Sequence, residues 1–232
     1  MAKVRFLYYF CAKFTFMTDS SITGVLFDVD GVLIDSEPLY THFWSTVGHL
    51  YPTGIPNFSS VIKGTTLTDI LNTYFPDPNL QKEITERVHK FESELEYPIF
   101  PGVIEFLEDL KANRIPTAMV TSSDSVKMSY LFKQHPRFRD YFDTVITGSM
   151  VTKSKPDPEG YLLGARSIDR EPQNCFVFED SIQGLQAGMA SGATVVGLVT
   201  TNPREKLQGK AHKLIDGFTG FSVKDMLNIN KL

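Results

Sequence analysis

Asp28 and Asp30 stand one residue apart, directly after the apolar run Val25-Leu26-Phe27 and directly before Gly31. That run reads as a buried strand, apolar on both faces. An unpartnered carboxylate that is buried costs free energy or shifts its pKa. The two acids therefore belong just past the strand's carboxyl end, where open α/β sheets bind their ligands. Such a pair suits a hard cation such as Mg²⁺, or a nucleophile working beside a general acid. The same four residues also satisfy a plain Asx-type turn.

Three later stretches carry the remaining candidates. Ala118-Met119-Val120-Thr121-Ser122-Ser123 runs from a strand into a hydroxyl cluster. That cluster can cap a helix near Val126, bind an anion at the helix N-terminus, or both. Lys153-Ser154-Lys155-Pro156-Asp157-Pro158 offers two lysines in a loop. Phe176-Val177-Phe178-Glu179-Asp180-Ser181 ends a strand in two acids ahead of a helix, where capping and the helix dipole would also favour them.

These three segments, together with Asp28-Val29-Asp30-Gly31-Val32-Leu33-Ile34-Asp35-Ser36-Glu37-Pro38-Leu39-Tyr40, resemble in order the motifs of the haloacid dehalogenase-like phosphohydrolases. The likeness is to the subgroup of β-phosphoglucomutase and small sugar-phosphate phosphatases, and it spans Gly24 to Leu227. It implies that Asp28 is a nucleophile carrying the phosphoryl group. Asp30 is then the general acid and base, and its carbonyl also touches the metal. Thr121 and the Ser122 N–H bind phosphoryl oxygens, with Ser122 or Ser123 capping the helix. Lys155 offsets phosphoryl charge, chosen over Lys153 because Pro-Asp-Pro follows it. Asp180 is a direct Mg²⁺ ligand and Glu179 orients a water or completes the shell. So few protein oxygens leave Mg²⁺ with several waters, and Ca²⁺, which prefers more ligands, is expected to inhibit.

The elements that must position these residues alternate. Strands are expected over Thr23–Asp28, Pro116–Thr121, Thr144–Thr147, Asn174–Glu179 and Thr194–Val199, with a short sixth over His212–Asp216. Helical stripes lie between them: Val103, Phe106, Leu107 and Leu110, then Ile182, Leu185, Gln186 and Met189, stopped by Gly192. The alternation predicts an α/β fold with a parallel sheet. Residues 37–100 break it with three helical stripes: Leu39, Phe43, Val47 and Leu50; Leu67, Ile70, Leu71 and Tyr74; and Leu80, Ile84, Val88, Phe91 and Leu95. The expected architecture is a Rossmann-like core of residues 18–36 and 101–232 with an inserted α-helical cap over residues 37–100.

Composition narrows the class. The 232 residues are 42% hydrophobic with a formal net charge of −4, enough for one core plus a small insert. The lack of a basic stripe argues against a nucleic-acid partner. Two cysteines, Cys11 and Cys175, have no metal-like spacing, which fits a reducing, cytoplasmic setting. Residues 1–17 read as an N-terminal extension, with Met17 the expected natural start and a weak signal peptide the alternative. The apolar stretch there is too short to span a bilayer. A monomer without membrane attachment is expected.

The resulting expectation is a Mg²⁺-dependent hydrolase of a small phosphorylated metabolite, either a sugar phosphate or a nucleoside monophosphate. The alternatives are a hexose phosphomutase and a non-catalytic binder that kept the fold. Lys63 to Asp69 resembles the mutase's specificity loop, but Leu67 stands where that loop carries an arginine, and Tyr40 where the mutase has a hinge histidine. Both departures favour a phosphatase. Lys63 remains a candidate substrate contact. His42 and Lys90 are candidates for the cap interface, although such side chains are ordinarily solvated.

Overall fold

The computed structural model describes residues 23–229; the N-terminal extension and Cys11 lie outside them. Six strands form one parallel sheet: β1 (Gly24–Phe27), β2 (Thr117–Val120), β3 (Thr144–Ile146), β4 (Cys175–Glu179), β5 (Thr194–Leu198) and β6 (Lys213–Ile215), in the order β3-β2-β1-β4-β5-β6. All six expected strands are present, within two residues at each end. The chain winds outward from β1 in one direction through β2 and β3, then returns beside β1 and winds the other way. The switch between β1 and β4 is where such sheets place their ligands.

Strand alternation divides the core in two. Val25 and Phe27 of β1, with Phe178 of β4, face helices α5 (Val103–Ala112), α6 (Ser125–Gln134) and α10 (Val223–Leu227). Phe27 and Phe178 stack at 5.1 Å between ring centroids, and Phe106 closes edge-on against Phe27. Leu26 and Val177 point to the opposite face, against α7 (Glu159–Ser167) and α8 (Ile182–Ser191). Cys175 is buried there. Among the described residues, no helix is long and apolar enough to cross a membrane.

Four helices separate β1 from α5: α1 (Glu37–Leu50), α2 (Phe58–Val61), α3 (Leu67–Tyr74) and α4 (Pro78–Glu94). They surround a third apolar cluster that includes Trp44, Val47, Phe58, Ile70, Ile84 and Val88. The chain enters and leaves them side by side. Asp35 N–H donates to the Pro98 carbonyl at 2.8 Å, and Phe100 N–H donates to the Leu33 carbonyl at 3.0 Å. A short helix, α9 (Arg204–Leu207), follows β5.

Two of the expected stripes are rotated. On α1, Leu39 and Leu50 are exposed, while Trp44 and Val47 are buried and Tyr40 packs against them. On α8, Leu185 is buried as expected but Met189 is exposed, and the rest of the buried face is made of Gly184, Ala187, Gly188 and Ser191. Small residues let that helix lie close to β4 and β5: a methyl on Gly188 would stand 3.0 Å from both Val177 and Val195. Gly192 does stop α8, in the left-handed region at φ +85°.

Candidate active site

The chain turns sharply where β1 ends. The Val29 carbonyl accepts from the N–H groups of Val32, Leu33 and Ile34, and Gly31 takes φ +77°. This turn sets Asp28 and Asp30 above the sheet. Gly31 is required there twice over, since a Cβ would meet positive-φ strain and fall 2.1 Å from Asp180 Oδ2. The tight turn after β1 and the acid after β4 are thus in direct contact.

The residues expected from three separate segments converge on this spot. Lys155 is buried, and its Nζ lies 2.5 Å from Asp28 Oδ1 and 2.7 Å from Glu179 Oε1. It also donates to the Val120 carbonyl and stands 5.0 Å from the Tyr161 ring centroid. Glu179 is saturated. Its Oε1 accepts from Lys155 and the Tyr161 hydroxyl, and its Oε2 from the N–H groups of Asp180 and Ser181 and the Ser181 hydroxyl. It therefore fixes Lys155 and holds the Asp180–Ser181 turn; the cap of α8 is Ser181, which accepts from the Gly184 N–H, so the capping alternative weighed above falls to Ser181 rather than to Glu179. Gly184 makes room: a Cβ would fall 1.7 Å from Glu179 Oε1.

Asp28, Glu179 and Asp180 offer ligand atoms within 4.8 Å of one another. Lys155 alone cannot neutralise three buried acids. Burial pushes Asp28 up to about 8 against the opposing pull of Lys155, with Glu179 adding to the rise. Burial likewise drives Asp180 well above the usual carboxylate range, helped by Glu179 and Asp28. An anionic, all-oxygen cluster with unmet charge fits a hard dication.

Asp30 has different partners. Lys127 Nζ lies 2.5 Å from both of its oxygens, and Ser36 and Ser123 donate to it. Burial opposes ionisation, but Lys127 and these hydroxyls outweigh it and hold Asp30 below its ordinary value. Asp28 and Asp30 are thus driven in opposite directions by their surroundings, upward at Asp28 and downward at Asp30, which leaves Asp30 in the carboxylate form of a base rather than the protonated form of an acid.

Thr121 is buried at the end of β2, and its Oγ1 accepts from the Ser123 N–H at 3.0 Å. The expectation that Ser122 or Ser123 caps α6 is not met. Asp124 caps it, accepting from Val126 and Lys127 N–H. A carboxylate one residue later reaches those donors, which frees the serines. Ser122 donates to the Gly64 carbonyl at 2.6 Å, and Ser123 turns to Asp30.

One cavity joins these acids, Thr121 and Ser122 to the four-helix insert. Tyr40, Lys63 and Leu67 all line it, as do Trp44, Glu92 and Lys127. Lys63 pairs with Glu37 at 2.7 Å. Tyr40 donates to Glu92 at 2.8 Å and lies beneath Lys127 Nζ, 4.1 Å from the ring centroid. His42 and Lys90 are exposed. Sequence reasoning missed Lys127 and Glu92. Glu92 left a signal, because it continues the buried spacing of Ile84 and Val88 on α4. Lys127 left none beyond being a lysine in the first turn of a helix.

Burial pushes Glu92 up to about 7, against Lys127 and the Tyr40 hydroxyl. Its folded value lies above its unfolded one, so it costs nothing below about pH 4.5 and its full penalty above about pH 7. Glu92→Gln keeps an acceptor for Tyr40. It is expected to match the wild type in stability near pH 4.5 and to exceed it by roughly 2–3 kcal/mol at pH 8. Denaturant midpoints at the two pH values, taken with a chelator present, check this; a gap independent of pH would refute it.

Comparison with known proteins agrees with this geometry. The profile described as "Haloacid dehalogenase-like hydrolase" matches residues 25–198. The chain is 31% identical over 205 residues to the phosphorylated carbohydrates phosphatase of Thermotoga maritima, covering 84% of this chain and 88% of that one. It is also 31% identical to the fructose-1-phosphate phosphatase of Escherichia coli over 181 residues, covering 75% and 94%. Among solved structures, a haloacid dehalogenase-family hydrolase from Entamoeba histolytica superposes with a TM-score of 0.75 at 25% identity, over 89% of this chain and 98% of that one. With its site at the β1/β4 switch and a family profile covering most of its length, the chain belongs to the haloacid dehalogenase-like hydrolase family.

Proposed function

We propose that this protein is a Mg²⁺-dependent phosphatase of small phosphorylated metabolites, sugar phosphates first, working through an aspartyl phosphate. The observation that carries this reading is the convergence of Asp28, Asp30, Thr121, Lys155 and Asp180 at the carboxyl ends of three adjacent strands, beneath one cavity. Helices α1 to α4 serve as its cap.

In the first half-reaction an Asp28 oxygen bonds to phosphorus as the bond to the leaving oxygen breaks, and Asp30 gives that oxygen a proton. In the second, water attacks phosphorus, the bond to Asp28 breaks, and Asp30 takes the water's proton. Lys155, held by Glu179, faces the charge on the phosphoryl oxygens, and Thr121 with the Ser122 N–H orients them. Asp28 and Asp180 would hold Mg²⁺, which supplies the charge that keeps both as carboxylates and offsets the phosphoryl group. Lys127 holds Asp30 ready as a base. The acid step requires that pairing to loosen when the leaving group arrives.

A phosphomutase must hold a second phosphate. Of the lysines lining the cavity, Lys63 is occupied by Glu37 and Lys127 by Asp30, and Leu67 offers no charge. Trp44, Ile62, Ile70 and Val88 add an apolar stretch of wall beside the hydroxyls of Thr41, Ser59 and Thr65. This favours a substrate with one phosphate and an uncharged body. The relatives named for phosphorylated carbohydrates and fructose 1-phosphate support the same class.

The test is phosphate release from a panel of sugar phosphates and nucleoside monophosphates with Mg²⁺, run beside β-glucose 1-phosphate isomerisation with catalytic bisphosphate. Release that a chelator abolishes is expected, with sugar phosphates ranked above nucleotides. Isomerisation with little release would restore the mutase, and silence in both assays would favour the binder.

A further inference from the structure

Away from the Asp28 cluster, the described residues hold one other group with metal-ligand chemistry. His89 and Glu92 lie three residues apart on α4, a spacing that puts both on one helical face. Asp124 opposes them from the start of α6. His89 Nε2 is 3.2 Å from Asp124 Oδ2, and the three side chains offer ligand atoms within 4.8 Å of one another. Asp124 Oδ1 is occupied by its two capping bonds, which fixes the carboxylate and leaves Oδ2 for His89 or an ion.

Glu92 supplies an independent observation. It is 95% buried (5% exposed), its Oε1 is satisfied by Tyr40, and its Oε2 is buried with no hydrogen-bond partner. An orphaned carboxylate oxygen of this kind is costly unless something supplies a donor or a cation. Lys127 is the nearby cation, and it is committed to Asp30.

We propose that His89, Glu92 and Asp124 form a second metal site, selective for zinc-like transition dications, that links α4 of the insert to α6 of the core. One imidazole and two carboxylates are a donor set that zinc and its neighbours accept and that Mg²⁺ does not favour. The two carboxylates neutralise the ion, and the cavity lined by Glu92 and Asp124 leaves room for a water as fourth ligand. This site goes beyond the phosphatase reading and does not depend on it.

The test titrates the full chain with Zn²⁺ against a chromophoric chelator, with Mg²⁺ in large excess to fill the Asp28 cluster. Wild type is expected to bind one equivalent and to melt at higher temperature with Zn²⁺ present. His89→Ala and Glu92→Gln are each expected to weaken that equivalent by about tenfold or more and to remove the shift in melting. Asp28→Asn is expected to retain both. His89 is half-exposed, so its loss should leave the fold intact; a Zn²⁺-free melt checks this, and Glu92→Gln gives a second, near-isosteric arm. An equivalent that survives His89→Ala at full affinity, one that is lost in Asp28→Asn, or none at all in excess Mg²⁺ would each overturn the proposal.

Discussion

Asp28→Asn is expected to lower phosphate release by roughly 10⁴-fold or more, the scale seen when a nucleophile is removed from a unit that acts together. An asparagine amide cannot attack phosphorus, yet its oxygen can still accept from Lys155, which lies 2.5 Å away in the native site. The substitution also removes one of three crowded acids, and one whose burial opposes its ionisation. The variant should therefore melt no lower than the wild type. A stable protein without turnover is the expected pair of results, read by phosphate release and a thermal melt. Retention of more than about one per cent of activity would remove Asp28 from the nucleophile's role. In the native enzyme, rapid quenching with substrate should show an added phosphoryl mass that the variant lacks.

Lys155→Met is expected to fail in both respects. The ammonium bridges Asp28 and Glu179, and only 8% of the residue is exposed. Its loss leaves buried acids without a counter-charge, a change that costs roughly 3–5 kcal/mol when a buried pair is broken on one side. For a chain of this size that corresponds to a fall of about 6–20 °C in melting temperature. Activity should drop by roughly 10²–10³-fold, as for loss of one group stabilising transition-state charge. The stability deficit should narrow as pH falls, because Asp28 and Asp180 then take up protons. A variant as stable as the wild type at pH 8 would show that Lys155 is not the cation that balances this cluster. Arginine should not substitute, since its planar fork does not match a point charge held between two oxygens.

How much of this was legible in the chain depended on range. Val25-Leu26-Phe27 and Phe176-Val177-Phe178 announce buried strands because a central parallel strand is apolar on both faces. The acids that follow them are placed by those strands, so Asp28 and Asp180 could be found without coordinates. The helices were harder. Counting large apolar residues found Phe43 and Val47 of α1 and Leu185 of α8, but it also put Leu39, Leu50 and Met189 inside, where Trp44 and the small residues of α8 lie instead. Lys127 was invisible because its partner is 97 residues away, across two elements whose relative placement no local spacing encodes. The helix cap shifted from a serine to Asp124 for a similar reason: Ser122 and Ser123 are drawn off by Gly64 and Asp30.

The sheet order has a consequence for how the chain is made. β1 is the central strand and the first to emerge, yet Val25 pairs with Thr117 and Phe176. Its neighbours are therefore about 90 and 150 residues downstream, which at a synthesis rate of ~5–20 residues per second means a wait of roughly 5–30 s. During that time a strand apolar on both faces has no sheet to join. The four-helix insert, whose apolar cluster is closed among its own helices, can collapse in the interval. Nascent chains of this protein should thus display one sticky, unpaired segment near the amino end beside a helical unit already formed, and that segment is where a chaperone would first find something to hold.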